Sequence, residues 1–173
     1  MKIGKLVGGV LLAVLLPGCS AEGASPTDAL KVSTPAFAEG ARIPRKHVCA
    51  RQGGQDVSPP LTWSGVPASA RELAIVVDDP DAPGGTYIHW IVTGIPVTVT
   101  SVPEGRAPGK VLPGSDGKAA YAGPCPPSGV HHYHFIVYAL RGPITPGGDA
   151  TAVHQRIKDA AIASGETVGT WGG

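Results

Sequence analysis

The sequence lacks several features that mark large classes of proteins. Its 173 residues include 14 Lys and Arg against 13 Asp and Glu, with no basic run or stripe, so nucleic-acid binding is unsupported. The Gly-x-Ser-x-Gly elbow of many serine hydrolases is absent, as is the His-Glu-x-x-His zinc motif. No internal repeat is visible. These absences argue against a DNA- or RNA-binding protein, an elbow-type hydrolase and a repeat protein.

Aromatic residues are also scarce, at 5% of the chain, whereas 25 glycines and 18 prolines are spread along it. Such frequent turn residues favour many short strands over a helical bundle. The hydrophobic content of 42% argues against a disordered chain. A chain of this length predicts one domain with a sizeable core.

The N-terminus lacks a hydrophobic run long enough to span a bilayer. Two lysines precede an apolar stretch from Leu6 to Leu16, and small residues follow it. This pattern is typical of a signal peptide, which we place at residues 1–18. The segment Leu-x-Gly-Cys19 further resembles a bacterial lipobox, so Cys19 is the predicted lipidation site. A plain secretory signal with an incidental cysteine is the alternative.

The predicted product is an extracytoplasmic protein, lipid-anchored to the membrane of the bacterial cell envelope. Residues 19–32 are small and polar and predict a flexible tether. The folded domain is predicted at residues 33–173. Cleavage after residue 18 leaves 12 basic and 13 acidic residues, so the net charge changes from +1 to −1.

The chain predicts an all-β fold with one late helix. Apolar runs predict buried strands at residues 74–77, at 88–93 and in the segment that ends at Leu140. Shorter strands are predicted at 33–37, 46–50, 61–63 and 167–171, and residues 96–120 read as a long loop or loose hairpin. The helix is predicted at 150–163, with Asp149 as its cap and Gly165 at its end.

Polar residues are concentrated at the ends of the three buried strands. Asp79 and Asp81 follow the first strand, His89 opens the second, and His131 and Tyr133 share one face of the third. Each histidine alone is more often structural, and Asp-Pro-Asp is ordinary turn chemistry. Together these residues indicate a small pocket of hydrogen-bond donors.

Five sequence blocks identify a family resemblance. They are Ser58-Pro-Pro-Leu-x-Trp63, Asp79-Pro-Asp-Ala-Pro83, His89-Trp90, Gly123-Pro-x-Pro126 and Gly129-Val-His-His-Tyr133. In this order they resemble the phosphatidylethanolamine-binding protein family, and in particular its bacterial Raf-kinase-inhibitor-like branch. The resemblance extends from about Phe37 to Trp171 and is more specific than any single motif. It implies a large central antiparallel sheet packed against a smaller one.

The resemblance also implies an anion pocket. The family's pocket residues correspond to Asp79, His89, Gly123, His131 and Tyr133, with Pro124 and Asp81 beside them. Glycine-rich backbone is expected to add N–H donors to this pocket. His132 stands where the family commonly has arginine, and we expect it to support the neighbouring loop from the opposite face of the strand. We expect Asp78 to face away, Trp90 to pack, and His134 and His154 to be structural, while His47 is unassigned.

The other cysteines leave two possibilities. In an exported chain, Cys49 and Cys125 are predicted to form a disulfide bond. Two free buried thiols are the competing interpretation, because cysteine is often buried as a small hydrophobic residue.

The predicted function is binding of a phosphate-containing small molecule or a lipid headgroup, without turnover, metal or other cofactor. Because histidine titrates between about pH 5 and 8, the affinity should change over that range. One alternative is an inhibitor of a kinase or protease that acts through its protein surface on an unknown partner. A less favoured alternative is a metallo-hydrolase that uses the Asp/His cluster.

Overall fold

The computed structural model describes residues 30–145 and 147–172, together with Met1 and Gly4. The predicted lipidation site Cys19, and nearly all of the predicted signal peptide and tether, lie outside these residues. Within the described ranges, no helix is long and apolar enough to cross a membrane.

Strands make up most of the regular secondary structure of the described chain. The elements are β1 (Lys31–Ser33), β2 (Leu61–Ser64), β3 (Glu72–Asp79), β4 (Tyr87–Ile95), β5 (Ser101–Val102), β6 (Lys110–Leu112), β7 (Val130–Leu140), the helix α1 (Ala150–Ala160) and β8 (Ala161–Gly172). A five-stranded sheet has the order β6-β4-β3-β7-β8, and a three-stranded sheet has the order β1-β2-β5. All strand pairs are antiparallel. The predicted fold class is therefore confirmed.

The large sheet is covered on both faces, which explains the continuous apolar runs of its strands. One face packs against the small sheet through side chains such as Leu73, Ile75 and Trp90. The other face packs against α1 through Ile136 and the helical residue Ile157. Since successive strand residues point to opposite faces, β3 contributes alternately to the two cores. Trp90 is buried in the first core, as expected of a packing residue.

The late helix is present, but it is shorter than predicted. Asp149 caps it, with its carboxylate accepting a hydrogen bond from the Ala152 N–H at 2.8 Å. The helix ends at Ala160, and the assignment of Gly165 as its end is wrong. Gly165 lies within β8, where a Cβ atom would approach the Leu30 carbonyl oxygen to 1.9 Å. This glycine is needed because another segment passes close to the strand.

Two other predictions need correction. Residues 46–50 do not form an edge strand but lie in and between two 3₁₀ turns, Arg45–His47 and Ala50–Gln52. The first strand is Lys31–Ser33 rather than 33–37, so two residues assigned to the tether belong to the sheet. Local turn bonds explain the first error, since the His47 and Val48 N–H groups donate to the carbonyls of Pro44 and Arg45.

Candidate functional site

The end of β3 and the beginnings of β4 and β7 meet at one end of the central strands of the large sheet. Antiparallel pairing places Asp79 opposite Tyr87 and Asp78 opposite His134. A cavity of about 590 Å³ opens at these strand ends. Its lining residues are Cys49, Ala50, Arg51, Asp56, Asp79, Ala82, Pro83, Tyr87, His89, Asp116, Lys118, Ala122, Gly123, Cys125, Pro126, Pro127 and His131. Four of the predicted binding residues, Asp79, His89, Gly123 and His131, are therefore brought together.

Asp79 and His131 form a buried pair in the cavity wall. His131 Nδ1 lies 2.7 Å from Asp79 Oδ2, and Asp79 Oδ1 accepts a hydrogen bond from the Asp81 N–H. Both carboxylate oxygens are thus engaged by the protein. Among the described residues, His131 Nε2 has no hydrogen-bond partner, so this nitrogen remains available to a ligand.

His89 has a similar arrangement on the neighbouring strand. Its Nδ1 lies 2.8 Å from the Ala122 carbonyl oxygen, which can only accept, so Nδ1 carries the hydrogen. Burial lowers the pKa of His89 below its ordinary value, although the Ala122 hydrogen bond opposes this effect. The neutral ring then presents Nε2 as an acceptor, and protonation would convert this nitrogen into a donor.

Tyr133 lies beneath the two histidines rather than in the cavity lining. Its ring lies 5.3 Å from that of His89 and 6.4 Å from that of His131, between ring centroids. Burial and the nearby Asp79 carboxylate raise the pKa of the Tyr133 hydroxyl, so it stays protonated. This buried hydroxyl has no well-formed hydrogen bond within the described structure. It is a polar group held at the base of the site without a satisfied partner.

Gly123 borders the cavity, but its backbone N–H is not free. That N–H donates to Asp56 Oδ1 at 2.8 Å, while Asp56 Oδ2 accepts from the Ala50 N–H at 3.0 Å. The expectation that the Gly123 backbone offers a donor to the ligand therefore needs correction. A Cβ at position 123 would lie 2.4 Å from the Val48 carbonyl carbon. Glycine is required there for close packing of two backbone segments.

A disulfide bond closes this side of the cavity. Cys49 and Cys125 are joined, with their Cα atoms 5.5 Å apart, and both residues line the cavity. The bond links the 3₁₀ turns to the Gly/Pro turn before β7. The Cys49 N–H also donates to the Pro124 carbonyl oxygen at 3.1 Å. Pro124 is thus a buried backbone partner in the wall and not a lining residue.

Asp81 lies outside the cavity lining. Its Oδ2 accepts hydrogen bonds from the His132 backbone N–H at 2.9 Å and from His132 Nδ1 at 2.7 Å. These contacts hold the pKa of the Asp81 carboxyl below its usual value. His132 therefore supports the loop after β3 from the exposed side, as its strand face predicted.

Other lining residues escaped the sequence analysis. Arg51, Asp56, Tyr87, Asp116 and Lys118 reach the cavity from different elements. Burial and the Asp116 carboxylate raise the pKa of Tyr87, whose hydroxyl stays protonated. The proximity of Tyr87 to His89, two positions along a strand and therefore on the same face, was the one available signal. The loop residues gave none.

The carboxylates of the lining are already satisfied to different degrees by protein donors. Asp56 and Asp79 each use both oxygens, and Asp116 Oδ1 accepts from the Lys118 N–H at 2.9 Å. Among the described residues, no group of three or more His, Cys, Asp or Glu side chains has the arrangement of a metal site.

Comparison with known proteins agrees with this architecture. The phosphatidylethanolamine-binding protein family model matches residues 33–172. The chain is 46% identical over 158 residues to "Putative lipoprotein LppC" of Mycobacterium tuberculosis, covering 87% of this chain and 76% of that protein. It is 44% identical over 171 residues to the UPF0098 protein Mb1945c of Mycobacterium bovis, covering 93% of this chain and 82% of that protein.

A solved structure gives the same result for the fold. Escherichia coli YbcL, described as a new member of the mammalian PEBP family, superposes with a TM-score of 0.76 at 32% identity. The match covers 83% of this chain and 98% of YbcL. The chain therefore belongs to the phosphatidylethanolamine-binding protein family.

Proposed function

We propose that the cavity binds a small phosphate-containing anion, either free or as a lipid headgroup. The observation that carries this proposal is the pair of histidines that lines one cavity. Their Nδ1 atoms are fixed by Asp79 and by the Ala122 carbonyl, so both Nε2 atoms are free to contact a ligand. A phosphate offers oxygen acceptors and, when protonated, an O–H donor, so it can match either state of such a ring.

The engagement of the charged groups around the cavity supports an anion over a cation. Arg51, Lys118 and Tyr87 border it, and Lys118 Nζ lies 3.9 Å from Asp116 Oδ2. The nearest acids are engaged by protein donors, most completely Asp56 and Asp79. An incoming anion therefore meets cationic and O–H groups, while an incoming cation would meet carboxylates that mostly accept hydrogen bonds already.

A matched pair of variants tests the proposal. The purified protein would be titrated with phosphate and phosphoethanolamine while histidine ring signals are followed by NMR. We expect saturable shifts in the wild type and a loss of at least about tenfold in affinity for His131→Gln, which removes an imidazole from the cavity. His134→Gln, on the same strand but paired with Glu166 outside the cavity, should bind as the wild type does.

Two outcomes would count against the anion site. A folded wild-type protein without saturable shifts would direct the search toward protein partners on the outer surface. An equal loss for His131→Gln and His134→Gln would mean that the effect is general and not specific to the cavity.

We also propose that the domain is tethered to the cell envelope through Cys19. Two observations support this: the Leu-x-Gly-Cys19 sequence and the name of the mycobacterial relative. Incorporation of a labelled fatty acid that disappears in Cys19→Ser, with release of the protein from the membrane fraction, is the expected result. Equal labelling of both proteins would contradict it.

A further inference from the structure

The cavity wall contains a group whose chemistry goes beyond anion binding. Cys49 and Cys125 both line the cavity and are joined by a disulfide bond, so this bond belongs to the wall of the space in which a ligand would sit. Cys49 is almost fully buried, whereas Cys125 is partly exposed. Cys125 is therefore the more accessible of the two residues.

A cation lies beside that sulfur. Arg51 Nη2 is 3.2 Å from Cys125 Sγ, and Arg51 itself lines the cavity. Thiol–disulfide exchange passes through an arrangement in which negative charge is shared among three sulfur atoms. A guanidinium at this position stabilises that charge and also attracts an anionic thiol.

We propose that the Cys49–Cys125 disulfide is a site of thiol exchange, with a small carboxylate-bearing thiol as the reactant. The thiolate attacks Cys125 Sγ, and a new sulfur–sulfur bond forms between the reagent and Cys125. The bond to Cys49 breaks, and its electron pair leaves with Cys49 as a thiolate, which takes a proton from water. One disulfide replaces another, so the step needs no further oxidant or reductant.

Several hydrogen bonds in the cavity wall do not involve the two sulfur atoms. The wall retains the bond from the Cys49 N–H to the Pro124 carbonyl and the bond from the Gln52 side-chain amide to the Pro126 carbonyl at 2.8 Å. Asp56 continues to accept from the Gly123 N–H. The consequence for the ligand site, which rests on the proposed function, is that the adduct and the anion occupy the same cavity.

Mass spectrometry of the intact protein tests the exchange directly. The purified protein would be incubated with glutathione, a small thiol with carboxylates, and with the cationic thiol cysteamine, then quenched with acid. We expect a single glutathione adduct, mapped by digestion to Cys125, with Cys49 free to react with an alkylating reagent. The ratio of the glutathione rate to the cysteamine rate should exceed that of a small reference disulfide by about tenfold.

Substitutions at Arg51 identify the source of this preference. Arg51→Gln should reduce the rate ratio to that of the reference disulfide, while Arg51→Lys should retain most of it because the charge remains. Arg71→Gln, an exposed site at the opposite end of β3, is the matched control and should behave as the wild type. Thermal melting checks that every variant is folded.

Three results would overturn the exchange site: no adduct in the wild type, an adduct on Cys49, or an unchanged rate ratio in a folded Arg51→Gln protein. Phosphate present during the reaction reports separately on the proposed function. Slower adduct formation with phosphate supports a shared cavity. Adduct formation at Cys125 that phosphate does not slow would keep the exchange site and count against the anion site.

Discussion

Asp78 and Asp79 are neighbours in the chain, but their side chains lie on opposite faces of the large sheet. Each is near a histidine. Asp79 Oδ2 is 2.7 Å from His131 Nδ1 at the cavity, and Asp78 Oδ2 is 3.7 Å from His154 Nδ1 on the face covered by the helix. The same two residue types thus occur twice, in different surroundings.

The two Asp–His pairs differ in the hydrogen bonding of the second ring nitrogen of the histidine, Nε2. His154 Nε2 lies 2.9 Å from the Tyr138 hydroxyl, so this histidine is satisfied within the protein. His131 Nε2 has no such partner in the described chain, and its ring lines the cavity. An Asp–His pair is therefore no sign of a site by itself. What distinguishes the site is an unused donor or acceptor beside open space.

The largest expected effect concerns the helix-covered face. Burial raises the pKa of Asp78 to about 6, partly opposed by His134. The stability due to Asp78 is therefore complete below the ordinary aspartate pKa and is lost as the pH rises through 6. Burial lowers the pKa of His154 to about 4, with Lys158 adding to the effect. The stability due to His154 is complete above the ordinary histidine pKa and is lost as the pH falls through 4.

As the pH falls, the contribution of Asp78 stabilises the fold and that of His154 destabilises it. A variant that lacks one of the two residues should therefore show the pH dependence due to the other. As the pH falls from 6.5 to 4, the free energy of unfolding of Asp78→Asn should fall by roughly 2–3 kcal/mol relative to that of the wild type. The free energy of unfolding of His154→Gln should rise by a similar amount relative to the wild type. Urea unfolding at several pH values measures both slopes. Parallel curves for the wild type and both variants would contradict the proposed roles of these residues.

A smaller difference in the free energy of unfolding is expected between variants of the buried residues Tyr138 and Tyr133. Tyr138→Phe leaves His154 Nε2 without a partner and should cost about 1–2 kcal/mol. Tyr133→Phe removes a hydroxyl that has no well-formed hydrogen bond, so the free energy of unfolding should stay equal or rise by up to about 1 kcal/mol. Chemical unfolding at pH 7 provides the comparison. A larger loss for Tyr133→Phe than for Tyr138→Phe would reverse the assignment of the satisfied face.

The sequence predicted the parts of this fold that depend on hydrophobic pattern. The cores of β3, β4 and β7 were predictable because they are buried on both faces and therefore continuously apolar. The role of Gly165 was predicted wrongly because a glycine that follows a helical pattern looks the same in the sequence in two cases. It can end the helix, or it can allow another segment to pack closely. Only the contact with Leu30, far away in the chain, distinguishes the two.

The site residues at the ends of strands were predictable from the sequence, whereas those in loops were not. The positions of Asp79, His89 and His131 followed from the ends of three strands and the family resemblance. Arg51 and Asp56 reach the cavity through turns without a periodic pattern. The role of Asp56 depends on its hydrogen bond to Gly123, 67 positions away. Contacts of this kind follow from tertiary packing and leave no local signal.

The most direct measurement for the anion site is the affinity for a phosphate diester as a function of pH. Glycerophosphoethanolamine is suitable because its phosphate keeps one charge between pH 5 and 8. A bound anion favours the protonated ring of His89, whose pKa in the free protein is lowered by burial. Affinity should therefore rise as the pH falls, because binding takes up a proton.

The expected change is a rise of about tenfold in affinity from pH 8 to pH 5.5, measured by calorimetry. Asp78→Asn should show the same rise, because Asp78 titrates in this range but lies on the other face of the sheet. A flat profile in the wild type would remove the histidines from the ligand contacts and contradict the proposed anion site.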